Sequence, residues 1–264
     1  MKKIGFIGAG NMATAIIGGM AKSNTSDQIF AYDLDELKLE NLKQYGVVSK
    51  STANLLVLES EYLFLAIKPQ NFPEVLAEIK LDIKPETVIV SIAAGVTGEY
   101  ISRELGYDAK VIQVMPNTPL LLGVGATALS KMDNVSDEEF AVVKNIFDCA
   151  GITAVVPRNK MNEVIAINGS SPAFIYEFAR CFIEYGKSVG LEEKVCLDLF
   201  AQSLIGSAKM MTQSGNSIDD LIKMVSSKGG TTIAGLDGLK ENNLQNAVNC
   251  ACQKCTKRAY ELTK

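Results

Sequence analysis

Histidine and tryptophan are absent from this chain of 264 residues. The lack of histidine excludes catalytic triads and general acids that depend on an imidazole. No apolar run is long enough to span a bilayer, and Lys2-Lys3-Ile4-Gly5-Phe6 lacks the apolar region and cleavage site of a secretory signal. We therefore expect a protein of the cytoplasm.

Positive charge is in the minority. The chain has 26 lysines and arginines against 30 carboxylates, a formal net charge of −4 and a pI of about 5.1. This balance argues against nucleic acid as the main partner. Hydrophobic residues make up 47% and charged residues 21%, as in a soluble globular protein, and the length allows one or two domains.

Six cysteines are present, of which Cys250, Cys252 and Cys255 lie close together. Three thiols without histidine fall short of the four ligands that structural zinc prefers. Residues 244–262 have a helical pattern, which would place only Cys252 and Cys255 on one face. We expect no metal, and we interpret the cysteines as reduced thiols packed inside a cytosolic protein.

The first 160 residues alternate between strand-like and helix-like segments. This alternation predicts an α/β domain over residues 1–160, with a mainly parallel sheet and helices on both faces. The predicted strands are Ile4–Ile7, Gln28–Tyr32, Tyr62–Ile67, Val88–Ile92, Val111–Met115, Gly125–Leu129 and Ile152–Val156. The predicted helices are Met12–Ala21, Leu34–Gln44 and one that begins with a capping box of Ser136 and Glu139.

From residue 161 to residue 264 the strand signals end, and the pattern predicts an all-α domain. Helices are expected from Ser171-Pro172 to Gly190, from Glu192 to Gln213, after Ser217, from Thr231-Thr232 onward, and up to Leu262. The Glu192–Gln213 helix carries apolar residues well beyond one stripe. We favour a contact surface of an obligate dimer, and a fully buried central helix of one subunit is the alternative.

The first junction between strand and helix has the pattern of a dinucleotide site. Gly8-Ala9-Gly10-Asn11-Met12-Ala13 follows the first strand and opens a helix. Gly8 would allow the tight turn, Gly10 the approach of a pyrophosphate, and Ala13 the close packing of helix on strand. A plain turn is the alternative, but the context favours a Rossmann-type domain in which this run binds the cofactor.

Asp33 follows the second strand, where an acidic residue commonly binds the ribose hydroxyls of the cofactor. This position favours NADH, because no arginine precedes Arg103 to pair with the 2′-phosphate of NADPH. Lys38 and Asn54 are candidates for that phosphate, and Asp33 is alternatively a solvated turn residue. The choice between NADPH and NADH therefore stays open.

Three later strands also end in small or polar residues. The segments are Ala66-Ile67-Lys68-Pro69, Ala93-Ala94-Gly95 and Met115-Pro116-Asn117-Thr118-Pro119. Carboxyl ends of parallel strands share one edge of the sheet, where ligands bind. We expect these segments to line the cofactor crevice, with Ala93–Gly95 close to the nicotinamide ring, although the prolines alternatively do no more than end strands.

The segment Val225–Gly235 predicts a tight turn that runs into a helix. Gly229 and Gly230 allow the turn, and Thr231 and Thr232 stand where an N-cap belongs. Unpaired backbone N–H groups and the helix dipole at such a place bind an anion, for example a carboxylate. An ordinary capped loop is the alternative.

Together these motifs resemble the pyrroline-5-carboxylate reductase family over essentially the whole chain. The matching runs are Gly8-x-Gly10-Asn11-Met12-Ala13, Ala66-Ile67-Lys68-Pro69, Met115-Pro116-Asn117-Thr118-Pro119, Ser171-Pro172-Ala173 and Gly229-Gly230-Thr231-Thr232. The resemblance implies reduction of the cyclic imine 1-pyrroline-5-carboxylate to L-proline by NADPH or NADH. It also implies a helical C-terminal domain that forms an intertwined homodimer, often assembled into decamers.

By the same resemblance, Ser227 and Gly229–Thr232 form the substrate loop, together with Ser170. The backbone amides would hold the substrate carboxylate, and the Thr232 hydroxyl would lie near the ring nitrogen as the catalytic group. Asn54 and Ala66–Pro69 would contact the cofactor. Two departures bear on substrate affinity: Lys228 stands where proline is usual, and Asn168-Gly169-Ser170-Ser171-Pro172 stands where a Ser-Gly-Ser-Gly-Pro run is usual.

Two other functions fit the sequence less well. A related hydroxyacid dehydrogenase would have a lysine near the start of the long interdomain helix, and residues 168–180 contain none. A non-catalytic nucleotide sensor would bind the cofactor without oxidising it.

Overall fold

The structure of the protein is a computed structural model, which describes residues 1–23 and 26–262. It has two compact units, which we call the sheet unit (residues 1–172 together with the chain from Lys254) and the helical unit (residues 173–253). This division differs from the expected boundary at residue 160, because residues 161–172 and the end of the last helix group with the sheet. That residues 1–160 and 161–264 act as separate functional domains stays a prediction.

Within the described residues, the sheet unit holds one eight-stranded sheet. The strands are β1 (Lys3–Ile7), β2 (Gln28–Tyr32), β3 (Val48–Ser49), β4 (Tyr62–Leu65), β5 (Val88–Ser91), β6 (Val111–Met115), β7 (Gly125–Lys131) and β8 (Gly151–Val155). Their order is β3-β2-β1-β4-β5-β6-β7-β8, and only the β6–β7 pair is antiparallel. The predicted mainly parallel Rossmann-type sheet is confirmed.

Helices cover both faces of this sheet. In the sheet unit they are α1 (Asn11–Lys22), α2 (Glu36–Leu42), α3 (Ala53–Glu59), α4 (Phe72–Ile79), α5 (Gly98–Leu105), α6 (Asp137–Asp148) and α7 (Met161–Val164). Phe6 and Phe64 stack at 4.5 Å on the face that α1 and α6 cover, and Leu56, Leu76 and Ile101 from α3, α4 and α5 are buried on the other face. Two separate apolar layers therefore hold the strands in place.

Two local features differ from what the sequence predicts. The predicted helix Leu34–Gln44 is shorter, because the Asp35 side chain accepts a hydrogen bond from Leu37 N and caps α2, which continues only as a 3₁₀ turn after Leu42. The strand β3 was not predicted, since two exposed residues produce no periodic pattern. By contrast, the Ser136–Glu139 capping box is present as predicted.

The remaining helices are α8 (Ser171–Ser188), α9 (Glu193–Gln213), α10 (Ile218–Met224), α11 (Thr231–Glu241) and α12 (Leu244–Leu262). No residue of α9 is buried in this chain. The alternative of a buried central helix is therefore wrong. Exposed apolar side chains of the helical unit include Leu197, Leu199, Ile205, Met210, Met211, Ile218, Met224 and Val225.

The cysteines are free thiols, but the expectation that they are packed inside is wrong for half of them. Cys149, Cys181 and Cys250 are exposed, while Cys196, Cys252 and Cys255 are half-buried. Among the described helices, none has both the length and the apolar character that a bilayer crossing requires.

Candidate active site

The glycine turn after β1 has the shape that a dinucleotide requires. Gly8 has φ +98°, and a Cβ at this position would collide with the carbonyl oxygen of Ala66. Around Gly10, no described heavy atom lies within 4 Å of the place where a Cβ would stand. Gly8 is therefore required by the fold, whereas Gly10 leaves the backbone open to a ligand.

The helix that follows offers backbone donors to an anion. Gly10 is the N-cap of α1, with no side-chain cap among the described residues, and the first helical hydrogen bond runs from Thr14 N to Gly10 O at 3.0 Å. The N–H groups of Asn11, Met12 and Ala13 thus have no partner within the helix. Donors of this kind suit the pyrophosphate of a dinucleotide.

Asp33 binds the glycine turn itself. One carboxylate oxygen accepts a hydrogen bond from Ala9 N at 2.8 Å, and the other accepts one from Asp35 N at 2.9 Å. Lys38 Nζ lies 3.5 Å from Asp33 and 3.6 Å from Asp35. Asp33 is therefore more than a solvated turn residue, since it ties the end of β2 to the turn after β1.

These residues surround one cleft of about 570 Å³ at the carboxyl ends of β1, β2 and β4. The lining includes Gly8, Gly10, Asp33, Lys38, Ala66, Ile67 and Lys68. The sheet order changes direction between β1 and β4, and this is where ligands bind in open parallel sheets. Gln70 and Asn71 also line the cleft, although they had no motif that would single them out.

Ala93, Ala94 and Gly95 do not line this cleft. A Cβ on Gly95, whose φ is +75°, would lie 2.8 Å from the carbonyl oxygen of Ala259 in α12. Ala94 packs against a small buried cluster that includes Met115 and Ala259. The small size of this segment thus has a reason within the protein, and its contact with nicotinamide stays a prediction.

Two further predicted cofactor residues use their side chains elsewhere. Asn54 Nδ2 donates to Glu78 O at 3.0 Å and to Asp82 Oδ2 at 2.6 Å, which joins α3 to the end of α4. Asn117 is 8% exposed, and its Oδ1 accepts a hydrogen bond from Ala126 N at 2.9 Å. Neither residue lines the cleft, and their contact with the cofactor stays a prediction.

The predicted substrate loop contains a β-turn. Gly230 N donates to Ser227 O at 2.9 Å, and Gly229 has φ +72° at the third position of the turn. The positive φ favours glycine at position 229, and a Cβ on Gly230 would lie 2.5 Å from Ser227 Oγ and 3.0 Å from Ser227 O, so the turn is tight there. Lys228 occupies the second position, where proline would fix φ in advance.

The helix after this turn begins at Thr231, as predicted, but its cap is a different residue. Gly230 is the N-cap of α11, so placing Thr231 and Thr232 at the cap was wrong. No side chain of the described residues caps this end, and the first helical hydrogen bond runs from Ala234 N to Gly230 O. The N–H groups of the first turn are therefore available to an anion, and both threonine hydroxyls are free of a capping role.

Ser170 lies outside this loop, in the sheet unit. It follows a π-helical turn, Ile165–Gly169, and its N–H donates to Ile165 O at 2.8 Å. Its hydroxyl accepts a hydrogen bond from Cys255 Sγ at 3.2 Å. Nearby, Tyr260 OH donates to Glu163 at 3.0 Å, which raises the pKa of Tyr260 and connects α12 to α7.

Two family models match parts of this chain. Residues 158–262 match the family described as pyrroline-5-carboxylate reductase dimerisation, which supports a homo-oligomer. Residues 3–95 match the family described as NADP oxidoreductase coenzyme F420-dependent.

Full-length relatives lead to the same family. Pyrroline-5-carboxylate reductase of Escherichia coli (strain K12) is 36% identical over 100% of this chain and 99% of its own length. The structure of the reductase from Coxiella burnetii superposes with a TM-score of 0.92 at 28% identity, covering 100% of this chain and 99% of its own. The Plasmodium falciparum pyrroline carboxylate reductase structure, with NADP bound, has a TM-score of 0.90 at 27% identity and covers 100% and 98%. This chain belongs to the pyrroline-5-carboxylate reductase family.

Proposed function

We propose that this chain catalyses the last step of proline biosynthesis, the reduction of 1-pyrroline-5-carboxylate to L-proline with NADPH or NADH. The observation that carries the proposal is a pair of glycine turns, each followed by a helix whose N-terminus no side chain of the described residues caps. The first of these turns lies in the dinucleotide cleft. The second lies in the loop that carries the Gly229-Gly230-Thr231-Thr232 run.

The cleft fits a nicotinamide dinucleotide. The first turn of α1 would hold the pyrophosphate, and Asp33 would hold the glycine turn in shape while facing the adenosine ribose. Exposed Lys38 pairs only weakly with Asp33 and Asp35, at 3.5 and 3.6 Å, so it stays a candidate for binding a 2′-phosphate. When bound, the cofactor supplies the hydride.

The substrate loop would hold the imino acid by its carboxylate. The first-turn N–H groups of α11 would donate to that carboxylate, and exposed Lys228 would add positive charge next to it. Thr232 would orient the ring nitrogen with its hydroxyl. The catalytic group is therefore a neutral hydroxyl, in keeping with a chain that has no histidine.

Such a site can act without a strong acid. An imine that is protonated before binding is already electrophilic, so the protein needs only to place its carbon at the hydride donor. Correct placement can contribute up to about 7–11 kcal/mol of the lowering of the barrier. The homodimer is the proposed functional unit, and decamers are its proposed higher assembly. The proposed location is the cytoplasm, with which the six free thiols agree.

The direct test is a spectrophotometric assay of nicotinamide oxidation with pyrroline-5-carboxylate, run with NADH and with NADPH. The proposal expects oxidation that depends on the imine, and the two efficiencies rank the cofactors. Oxidation with small keto acids but not with the imine would favour a hydroxyacid dehydrogenase. Binding of the cofactor without oxidation would favour a nucleotide sensor.

The role of Thr232 has its own test. Thr232→Ala should lower kcat about tenfold, because one hydrogen bond to the reacting ring is lost, while Kd for the cofactor changes little. Thr212→Ala is the matched control, since its hydroxyl bonds only to carbonyls within α9. Unchanged kinetics in Thr232→Ala would remove this residue from the mechanism.

A further inference from the structure

Two buried asparagines bind the backbone of one residue of β7, one at its N–H and the other at its C=O. Asn117 Oδ1 accepts a hydrogen bond from Ala126 N at 2.9 Å, and Asn168 Nδ2 donates to Ala126 O at 3.0 Å. Asn168 Nδ2 also donates to Met115 O, the last residue of β6, at 2.8 Å. Asn117 Nδ2 donates to the backbone oxygen of Asn168 at 3.4 Å, which closes the network.

The network fixes the turn from which Ser170 projects. Asn168 lies within the π-helical turn Ile165–Gly169, a rare element that is frequent at functional sites. Gly169 packs so closely that a Cβ there would lie 3.0 Å from Met115 Sδ. Ser170, the next residue, also accepts a hydrogen bond from Cys255 at 3.2 Å.

The burial of Asn168 also carries an unfavourable free energy. It is only 8% exposed, and its Oδ1 has no hydrogen-bond partner among the described residues. An unpaired buried acceptor destabilises a fold unless the rest of the side chain compensates. Both bonds from Nδ2 hold the π-helical turn against the last residue of β6 and the second residue of β7.

We propose that Asn168 is a positioning residue of the reductase, which acts by fixing Ser170 for contact with the substrate. The proposal rests on the proposed function, since Ser170 contacts substrate only if that function holds. The Ser-Gly-Ser-Gly-Pro run of the family resemblance has serine in place of Asn168, and a serine hydroxyl donates one hydrogen bond where Nδ2 donates two. In this chain, Asn168 thus donates two hydrogen bonds that hold the turn, where a serine would donate one.

The test compares Asn168→Ser, Ser170→Ala and the double variant. Because serine keeps one donor, Asn168→Ser is expected to fold and to raise KM for pyrroline-5-carboxylate about tenfold, with cofactor Kd within about twofold. In the Ser170→Ala background, the same substitution is expected to change KM by less than about twofold, since its effect passes through Ser170. An unchanged KM in Asn168→Ser, or effects of the two substitutions that multiply, would overturn the proposal.

A matched control separates positioning from a general loss of stability. Thr87→Val removes a buried hydrogen bond of 3.2 Å to Ser60 O at the opposite edge of the sheet. It should lower the melting temperature and leave KM unchanged. If Thr87→Val raises KM as much as Asn168→Ser does, the effect is structural and the proposal fails.

A second measurement does not depend on activity. Iodoacetamide labelling of Cys255, followed by peptide mass spectrometry, reports whether Ser170 still holds the thiol. Labelling should be severalfold faster in Asn168→Ser than in the unaltered chain, and equal rates would contradict the displacement of Ser170. If the unaltered chain does not reduce the imine, the proposed function fails, whereas the labelling rates still decide whether Asn168 positions Ser170.

Discussion

The sheet unit and the helical unit differ in how they are covered. In the sheet unit, Phe6, Phe64 and Phe72 are completely buried by helices of the same chain. In the helical unit, α9 has no buried residue, and Leu199 is 66% exposed. The sheet unit thus buries its own apolar core, while the helical unit presents an apolar surface that a second copy would cover.

The same contrast applies to the two proposed anion sites. The N-terminus of α1 rests on the buried core of the sheet unit, where Ala13 is 1% exposed. The N-terminus of α11 belongs to the helical unit, and none of the residues of α11 is buried. Cofactor binding should therefore tolerate the loss of the oligomer, whereas substrate binding should not. The predictions below test this difference.

The largest effect is expected from Leu199→Asp. A carboxylate placed in an apolar contact between subunits is costly, so the oligomer should dissociate and reductase activity should fall more than about 100-fold. Cofactor Kd should change less than about threefold, because the sheet unit carries that site. Light scattering and fluorescence titration measure the two quantities.

Lys194→Glu is the control for this experiment, since it lies on the same helix and its exposed ion pair with Asp198 contributes little to stability. It should remain an oligomer. If Leu199→Asp loses cofactor binding together with activity, the two units are not independent in the way described.

Two glycine variants test whether Gly8 serves the fold and Gly10 serves cofactor binding. Gly8→Ala should destabilise the fold by about 1–3 kcal/mol and abolish cofactor binding, because the position has φ +98° and no space for a Cβ. Gly10→Ala should leave the melting temperature unchanged but raise cofactor Kd more than about tenfold, since no described heavy atom lies near that Cβ and a bound pyrophosphate would. Calorimetry and titration distinguish them, and equal stability losses would contradict the assignment.

A smaller effect is expected in the substrate loop. Proline at position 228 would fix φ at the second position of the turn, so Lys228→Pro should have a KM for pyrroline-5-carboxylate about two- to threefold lower than Lys228→Ala. The alanine variant serves as the reference because both variants lack the positive charge. A higher KM in Lys228→Pro than in Lys228→Ala would show that the loop needs a different backbone conformation to bind its substrate.

The smallest effect concerns alkaline stability of the sheet unit. Burial, with the carboxylates of Glu139, Glu61 and Asp27 nearby, raises the pKa of Tyr62 from its ordinary value of 10.0 to about 12. The folded state holds this proton longer than the unfolded chain does, so the free energy of unfolding should fall as pH rises from about 10 to about 12. Denaturant titrations of Tyr62→Phe should show a weaker decline over that window, and an identical decline would exclude the contribution of Tyr62.

Periodic patterns made the fold predictable. Runs such as Tyr62–Leu65 and Val88–Ser91 are entirely buried, and continuous apolar strands of this kind indicate a parallel sheet. Short or irregular elements were missed, because β3 and the π-helical turn at Ile165–Gly169 are too short to repeat. The cleft residues were predictable where a backbone constraint demanded glycine, as at Gly8.

Side-chain partners were not predictable. The sequence predicts that Asp33 binds a ribose of the cofactor. It does not predict the hydrogen bond that Asp33 accepts from Ala9 N, because that bond depends on how β1 and β2 pair. The sequence predicts that Gly95 lies close to the nicotinamide ring. In the structure its small size is required by α12, a helix far along the chain. Asn168 was noted as a departure, and only the packed structure brings Met115 O and Ala126 O to its amide. Contacts between distant segments decide such roles, and local sequence does not encode them.

The most direct test of the account follows the hydride. The unaltered chain would be incubated with pyrroline-5-carboxylate and the reduced nicotinamide that carries two deuterium atoms at C4, and the product would be examined by mass spectrometry. Proline with one deuterium at its former imine carbon is the result expected if the cleft and the loop serve one reaction. Product without deuterium, or deuterium retained entirely on the cofactor, would contradict it.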